Sequence, residues 1–117
     1  DVYFACSLPA PATPVLFVET TLFSRQIADA MDAEQYRAMQ AALIERPDAG
    51  AVIPGGGGLR KLRWAAEGRG KRGGTRVIYY WQVDADRIVM LYVYPKNVQA
   101  DLSRAQIAAL RAIIADE

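Results

Sequence analysis

No histidine occurs among the 117 residues, which excludes a Ser-His-Asp or Cys-His triad, a nuclease built on paired imidazoles and any His-ligated zinc site. Cysteine is limited to Cys6, so neither an internal disulfide nor a Cys-rich metal cluster can form, and this usage fits a reducing cytoplasm. No uninterrupted apolar run approaches the ~20 residues of a spanning helix. The acids are scattered, with no spacing that suggests a metal site or a pair of catalytic carboxylates. What is present is an apolar half (52%) and a charged quarter (23%), enough for one soluble core at this length.

The net charge of +1 hides an asymmetry. Residues 60 to 76 hold Arg60, Lys61, Arg63, Arg69, Lys71, Arg72 and Arg76 against Glu67 alone, a local +6; the other seven bases face twelve acids, or −5. A basic block on an acidic body points to a polyanionic ligand better than the total does. The block is interleaved with Leu59, Leu62 and Trp64, which need burial, so a merely solvated loop explains it less well.

Residues 1 to 14 carry Pro9, Pro11 and Pro14 and no basic n-region, and read as a leader or added extension outside the domain, with an extra edge strand as the alternative. From residue 15 to 117 the pattern is that of one α+β domain. VLFVET (15 to 20) reads as a buried strand. Leu22, Phe23, Ile27 and Met31 follow at helical spacing. A second helix starts at Asp32, with Gln35 as capping-box partner, and presents Tyr36, Met39, Leu43 and Ile44 before Pro47 stops it. After the breaker PGGGG (54 to 58) come three strands, LRKLRWA, TRVIYYWQV and RIVMLYVY, the last apolar on both faces as a central strand should be. Ser103 and Gln106 repeat the capping-box signature ahead of Ile107, Leu110 and Ile114. The order is β-α-α-β-β-β-α: a small twisted, mainly antiparallel sheet with an N-terminal helical hairpin and a C-terminal helix.

Two glycine-rich stretches, GGGGLRKL (55 to 62) and GRGKRGGT (68 to 75), lack the Lys-Ser/Thr pair of a phosphate-binding loop and do not join a strand to a helix. They read as hairpin connections in which Gly73 and Gly74 could admit a phosphodiester backbone closely. The chemistry then falls to the strands. Alternation puts Lys61 and Arg63 on one face of their strand and Arg76 and Tyr80 on the matching face of the next, with Lys71 and Arg72 on the loop between. Guanidinium forks grip phosphate oxygens and a tyrosine ring can stack on a base, so this surface fits RNA. Packing of Tyr80 under the C-terminal helix is the competing reading for that residue.

GLRKLRWA from Gly58, GRGKRGGTRVIYYW (68 to 81), YVYPKN (92 to 97) and DLSRAQIAALRAII (101 to 114) together resemble the RelE/HigB toxins of bacterial type II toxin-antitoxin modules. The resemblance spans Val15 to the C-terminus. It implies the fold read above, cleavage of mRNA in the ribosomal A site, and silencing by a cognate antitoxin, in the cytoplasm and without membrane, metal or small-molecule cofactor. It places the family's basic cluster on Lys61 and Arg63, with Arg60 as a register alternative, its phosphate-stabilising arginine on Arg76 and its lysine after the last strand on Lys96. Arg60, Lys71, Arg72 and Tyr80 would bind RNA. The arginine and tyrosine that the RelE branch carries near its C-terminus are replaced here by Asn-Val-Gln-Ala-Asp (97 to 101), which leaves the acid or base open, with Tyr94 or Tyr80 as stand-ins.

The mechanism expected is attack by the RNA's own 2′-hydroxyl, leaving a 2′,3′-cyclic phosphate. Arg63 and Arg76 act as electrostatic clamps because arginine stays protonated, and Lys61, beside Arg60 and Arg63, is the candidate base. The alternatives are a ParE-like toxin that binds DNA gyrase without cutting, and an inactive module of the same fold.

Overall fold

The computed structural model describes residues 15–64, 74–95, 98–99 and 101–115. β1 (Leu16–Glu19) leads into the hairpin of α1 (Thr21–Ala30) and α2 (Ala33–Glu45), followed by β2 (Ala51–Val52), β3 (Leu59–Trp64), β4 (Thr75–Gln82), β5 (Arg87–Pro95) and α3 (Arg104–Ala115). The expected architecture is α+β and this is what forms, with one addition: the two-residue β2, too short to leave a periodic signal, pairs antiparallel with β3. The sheet order is β1-β5-β4-β3-β2, antiparallel throughout except for the parallel β1–β5 pair.

The helix starts lie where the capping residues placed them. Asp32 Oδ1 accepts from the Gln35 amide at 2.8 Å and caps α2. At α3 the reciprocal pair is complete: Ser103 N donates to Gln106 Oε1 (2.8 Å) and Gln106 N to Ser103 Oγ (3.1 Å). Each bond satisfies a helix-end amide that has no partner within the helix.

Two cores flank the sheet. The hairpin covers one face, burying Phe23, Met31, Met39 and Leu43 against Phe17, Val77, Tyr79, Ile88 and Met90. Leu22, expected on that apolar stripe, lies on the outer side of α1 at 42% exposure. Beneath the hairpin, the buried Glu19 carboxylate accepts hydrogen bonds from Ser24 (2.6 Å) and from the Tyr36 hydroxyl, which satisfies a charge that burial would otherwise penalise. On the other face α3 sets Leu110 on Val18, Leu59, Ile78, Val89 and Leu91.

A bulge interrupts β5. Ile78 pairs with Tyr92 but Tyr79 with Met90, so Leu91 has no partner on β4. β1 ends at Glu19, opposite Met90, and α1 takes over the backbone groups that β1 leaves open. Thr20 Oγ1 donates to the Leu91 carbonyl (3.2 Å) while capping α1 through the Phe23 amide (3.1 Å), and Gln26 Oε1 accepts from the Val93 amide (3.1 Å). Because the bulge adds one residue, Leu91 and Tyr92 fall on the same face, and the alternation beyond them is inverted.

Candidate nucleic-acid interface

The ladders place Arg63 opposite Arg76, and Arg76 opposite Tyr94, so three strands contribute one transverse row. The neighbouring row is Lys61, Ile78 and Tyr92. Both rows lie on the face that α3 shares, since Ile78, Tyr92 and Tyr94 belong to its core and Lys61 and Arg63 alternate with residues of the hairpin side. α3 packs on that face in a core that takes Leu59 from β3, Ile78 from β4 and Val89 and Leu91 from β5. Towards β2 and β3 it leaves a groove of about 680 Å³ bounded by Ile53, Pro54, Lys61, Arg63, Asp101 and Leu102.

Arg63 is exposed, whereas Arg76 is buried to 8% exposure. No other described residue hydrogen-bonds the Arg76 guanidinium. Its approach is kept clear by Gly74, which has φ 55°, a left-handed value, and where a Cβ would stand 3.3 Å from Arg76 Nη1. Tyr92 and Tyr94 pack ring to ring, with centroids 5.6 Å apart. Tyr94 is buried, and that burial, reinforced by the charge of Asp101 and opposed by Arg76, pushes its phenol above the ordinary tyrosine value. It is therefore neutral at physiological pH.

The strand cations do not stand alone. Lys61 Nζ donates to Asp101 Oδ1 at 2.6 Å, and this bond, together with the charges of Lys61, Arg63 and Arg76, holds the Asp101 carboxyl below its usual range. Asp101 was not expected in the site. Only the capping box two and five residues further on signals that this position immediately precedes α3, and nothing local says that the loop before α3 crosses to β3.

Of the residues singled out from sequence, the fold brings together Lys61, Arg63, Arg76 and Tyr94. Arg60 lies on the opposite face of β3, where its Nη1 donates to the carbonyls of Gly50 (2.8 Å) and Asp48 (3.3 Å), so it serves the loop before β2. Tyr80 stands opposite Leu59 and is half-buried in the α3 core, its ring against Gly58, where a Cβ would come within 2.8 Å of it. That is the packing alternative weighed for this residue. Between Tyr94 and Tyr80 as stand-ins, the tyrosine beside the arginines is Tyr94. Lys71, Arg72, Lys96 and Gly73 lie outside the described residues.

Among the described residues, no three acidic or sulfur side chains gather as metal ligands, and no helix is long and apolar enough to cross a membrane. The arrangement is that of a small α+β domain with a row of cations on one sheet face. The model of the RelE toxin of the RelE/RelB toxin-antitoxin system matches residues 19–116, and the chain belongs to that family. It is a toxin of a toxin-antitoxin system, and its protein partner is the cognate antitoxin.

Proposed function

We propose that this toxin is an mRNA endoribonuclease acting in the ribosomal A site, in the cytoplasm, and so inhibits translation. The observation that carries the reading is the Arg63–Arg76–Tyr94 row: two guanidinium groups side by side on rigid strands, one of them sunk in the surface with no competing hydrogen bond from a described residue. Membership in a family whose toxins are generally endoribonucleases supports it.

The 2′-hydroxyl of the substrate gives its proton to a base and attacks its own 3′ phosphate, and the bond to the 5′ oxygen breaks as that oxygen takes a proton from water, giving a 2′,3′-cyclic phosphate and a 5′-hydroxyl. Negative charge builds on the non-bridging oxygens, and Arg63 and Arg76 stabilise it more strongly in the crowded phosphorane than in the ground state. The stabilising charge comes from side chains, so the step needs no metal. Lys61 is the candidate base; its Nζ is engaged with Asp101 Oδ1 in the free toxin, and that pair must open first. Tyr94, neutral and opposite Arg76 across the ladder, is the candidate to contact the reacting phosphate beside it. The family resemblance makes Lys96 a further catalytic candidate, and Lys71 and Arg72 are candidates for RNA binding.

The test is cleavage of mRNA on purified ribosomes by the wild type and by Arg76→Ala, with circular dichroism to confirm folding. Loss of codon-phased breaks in the folded variant supports the reading. Undiminished cleavage removes it, and growth arrest without any breaks would favour the gyrase-binding class.

A further inference from the structure

Asp101 is the one acid that reaches the cation rows in the described structure, and its position is built. Gln99 Nε2 donates to the Asp101 carbonyl (2.7 Å) and to Gln106 Oε1 (2.9 Å), and Gln106 Nε2 reaches the Tyr92 hydroxyl (3.4 Å). The same Gln106 closes the cap of α3 with Ser103. The loop that bears Asp101 is thus moored to the first turn of α3 and to the tyrosine beside the basic row. From there its carboxylate bonds Lys61 Nζ at 2.6 Å, under the attraction of Arg63 and Arg76 as well.

An RNA phosphate makes the same demands as this carboxylate, since both are anionic oxygen acceptors for ammonium and guanidinium donors. We propose that Asp101 is an internal substitute for the RNA phosphate, holding the anion seat at Lys61 until a phosphodiester displaces it. The inference rests on the reading of the row as a phosphate site. The groove bounded by Lys61, Arg63 and Asp101 gives the entering strand room beside the seat, so exchange does not require the sheet to open. In the free toxin one cation of the site is neutralised in place, and RNA binding exchanges one anion for another there.

The consequence is opposite to that of an ordinary contact residue: removing Asp101 strengthens binding. The probe is a single-stranded DNA of about nine nucleotides, which lacks the 2′-hydroxyl and cannot be turned over, titrated by fluorescence anisotropy against the full chain over a range of salt. Asp101→Asn, which keeps shape and loses charge, is expected to bind roughly two- to fivefold more tightly at low salt, the scale of an exposed ion pair. The gain should shrink as salt rises, because salt screens the exposed Lys61–Asp101 pair that the strand has to displace in the wild type. Lys61→Ala should weaken binding, and Asp101→Asn added to it should give no further gain.

Unchanged or weaker binding by Asp101→Asn overturns the proposal, as does an equal gain in the Lys61→Ala background. If Lys61→Ala and Arg76→Ala weaken binding while Asp101→Asn does nothing, only the role of Asp101 falls. If neither alanine variant weakens it, the row is not a phosphate site and both readings fall together.

Discussion

Arg76 faces Tyr94 across the β4–β5 ladder, although counting in twos from the hairpin-facing Ile88 puts Tyr94 on the other side of the sheet. The extra residue at Leu91 inverts the alternation. A bulge that re-aims two tyrosines is a positional device, and its Leu91 carbonyl is held by the hydroxyl of Thr20, the N-cap of α1. Helix start, bulge and site are therefore coupled through Thr20.

Thr20→Ala removes both the cap of α1 and the bond to the Leu91 carbonyl. A loss of about 1–2 kcal/mol in urea unfolding is expected. Thr20→Ser, which keeps the hydroxyl, should recover most of it.

Arg76 and Arg60 should behave as opposites. Arg76→Ala should lower ribosome-dependent cleavage by about 10²–10³-fold, the scale for loss of one preorganised donor to a developing oxyanion. Arg60→Ala loses its bonds to two loop carbonyls on the far face, and should cost about 0.5–1.5 kcal/mol of stability while cleavage stays within a factor of about two. Parallel denaturation and cleavage assays separate the two effects.

Tyr36 makes stability fall in alkali. Burial first, then its hydrogen bond to Glu19 and the charge of Glu19, raise the phenol far above its usual 10.0. A folded-state value above the unfolded one means stability is fully present below about pH 10 and is lost as pH rises beyond it. The urea midpoint of the wild type should drop above that pH, and that of Tyr36→Phe should drop less, with Tyr79 and Tyr94, also raised by burial, accounting for the remainder. At pH 7 the same variant deprives Glu19 of a donor and should be less stable by about 1–3 kcal/mol.

Gly50 is a point of close approach. A Cβ there would lie 2.8 Å from Tyr79 Cε1 and 2.9 Å from its hydroxyl, which bridges the Gly50 amide (2.8 Å) and the Pro47 carbonyl (2.7 Å). Gly50→Ala should cost about 1–3 kcal/mol by thermal or urea unfolding, because Tyr79 is fully buried and the Lys61 backbone on the other side, 3.1 Å away, is part of the sheet.

Much of the fold is legible locally. Asp32 and Ser103 announce helix starts because a cap is a bond within four residues, and the strand runs announce themselves because pleating alternates side chains at every second position. Lys61, Arg63 and Arg76 are legible as one face for the same reason, which is why three cations of the site could be named from sequence. Tyr94 is named from sequence only as a stand-in, with Tyr80, for a tyrosine that the family carries further along, and its face could not be read by counting, because a bulge has no periodic signature. The two-residue β2 and the parallel β1–β5 pair are equally silent, being fixed by partners far away in the chain.

The sequence by itself determined the inventory: no imidazole, a block of +6 on an acidic body, and strands whose alternate positions carry the charge. Only the tertiary structure decided which of those charges meet. It turned Arg60 to the loop side, packed Tyr80 under α3, inverted β5 to bring Tyr94 to Arg76, and carried Asp101 to Lys61, forty residues away in sequence. The physical reason is common to all four. Side-chain direction follows from local geometry, but the partner at the end of a side chain is set by backbone pairing and helix docking between segments remote in the chain, where composition and spacing are mute.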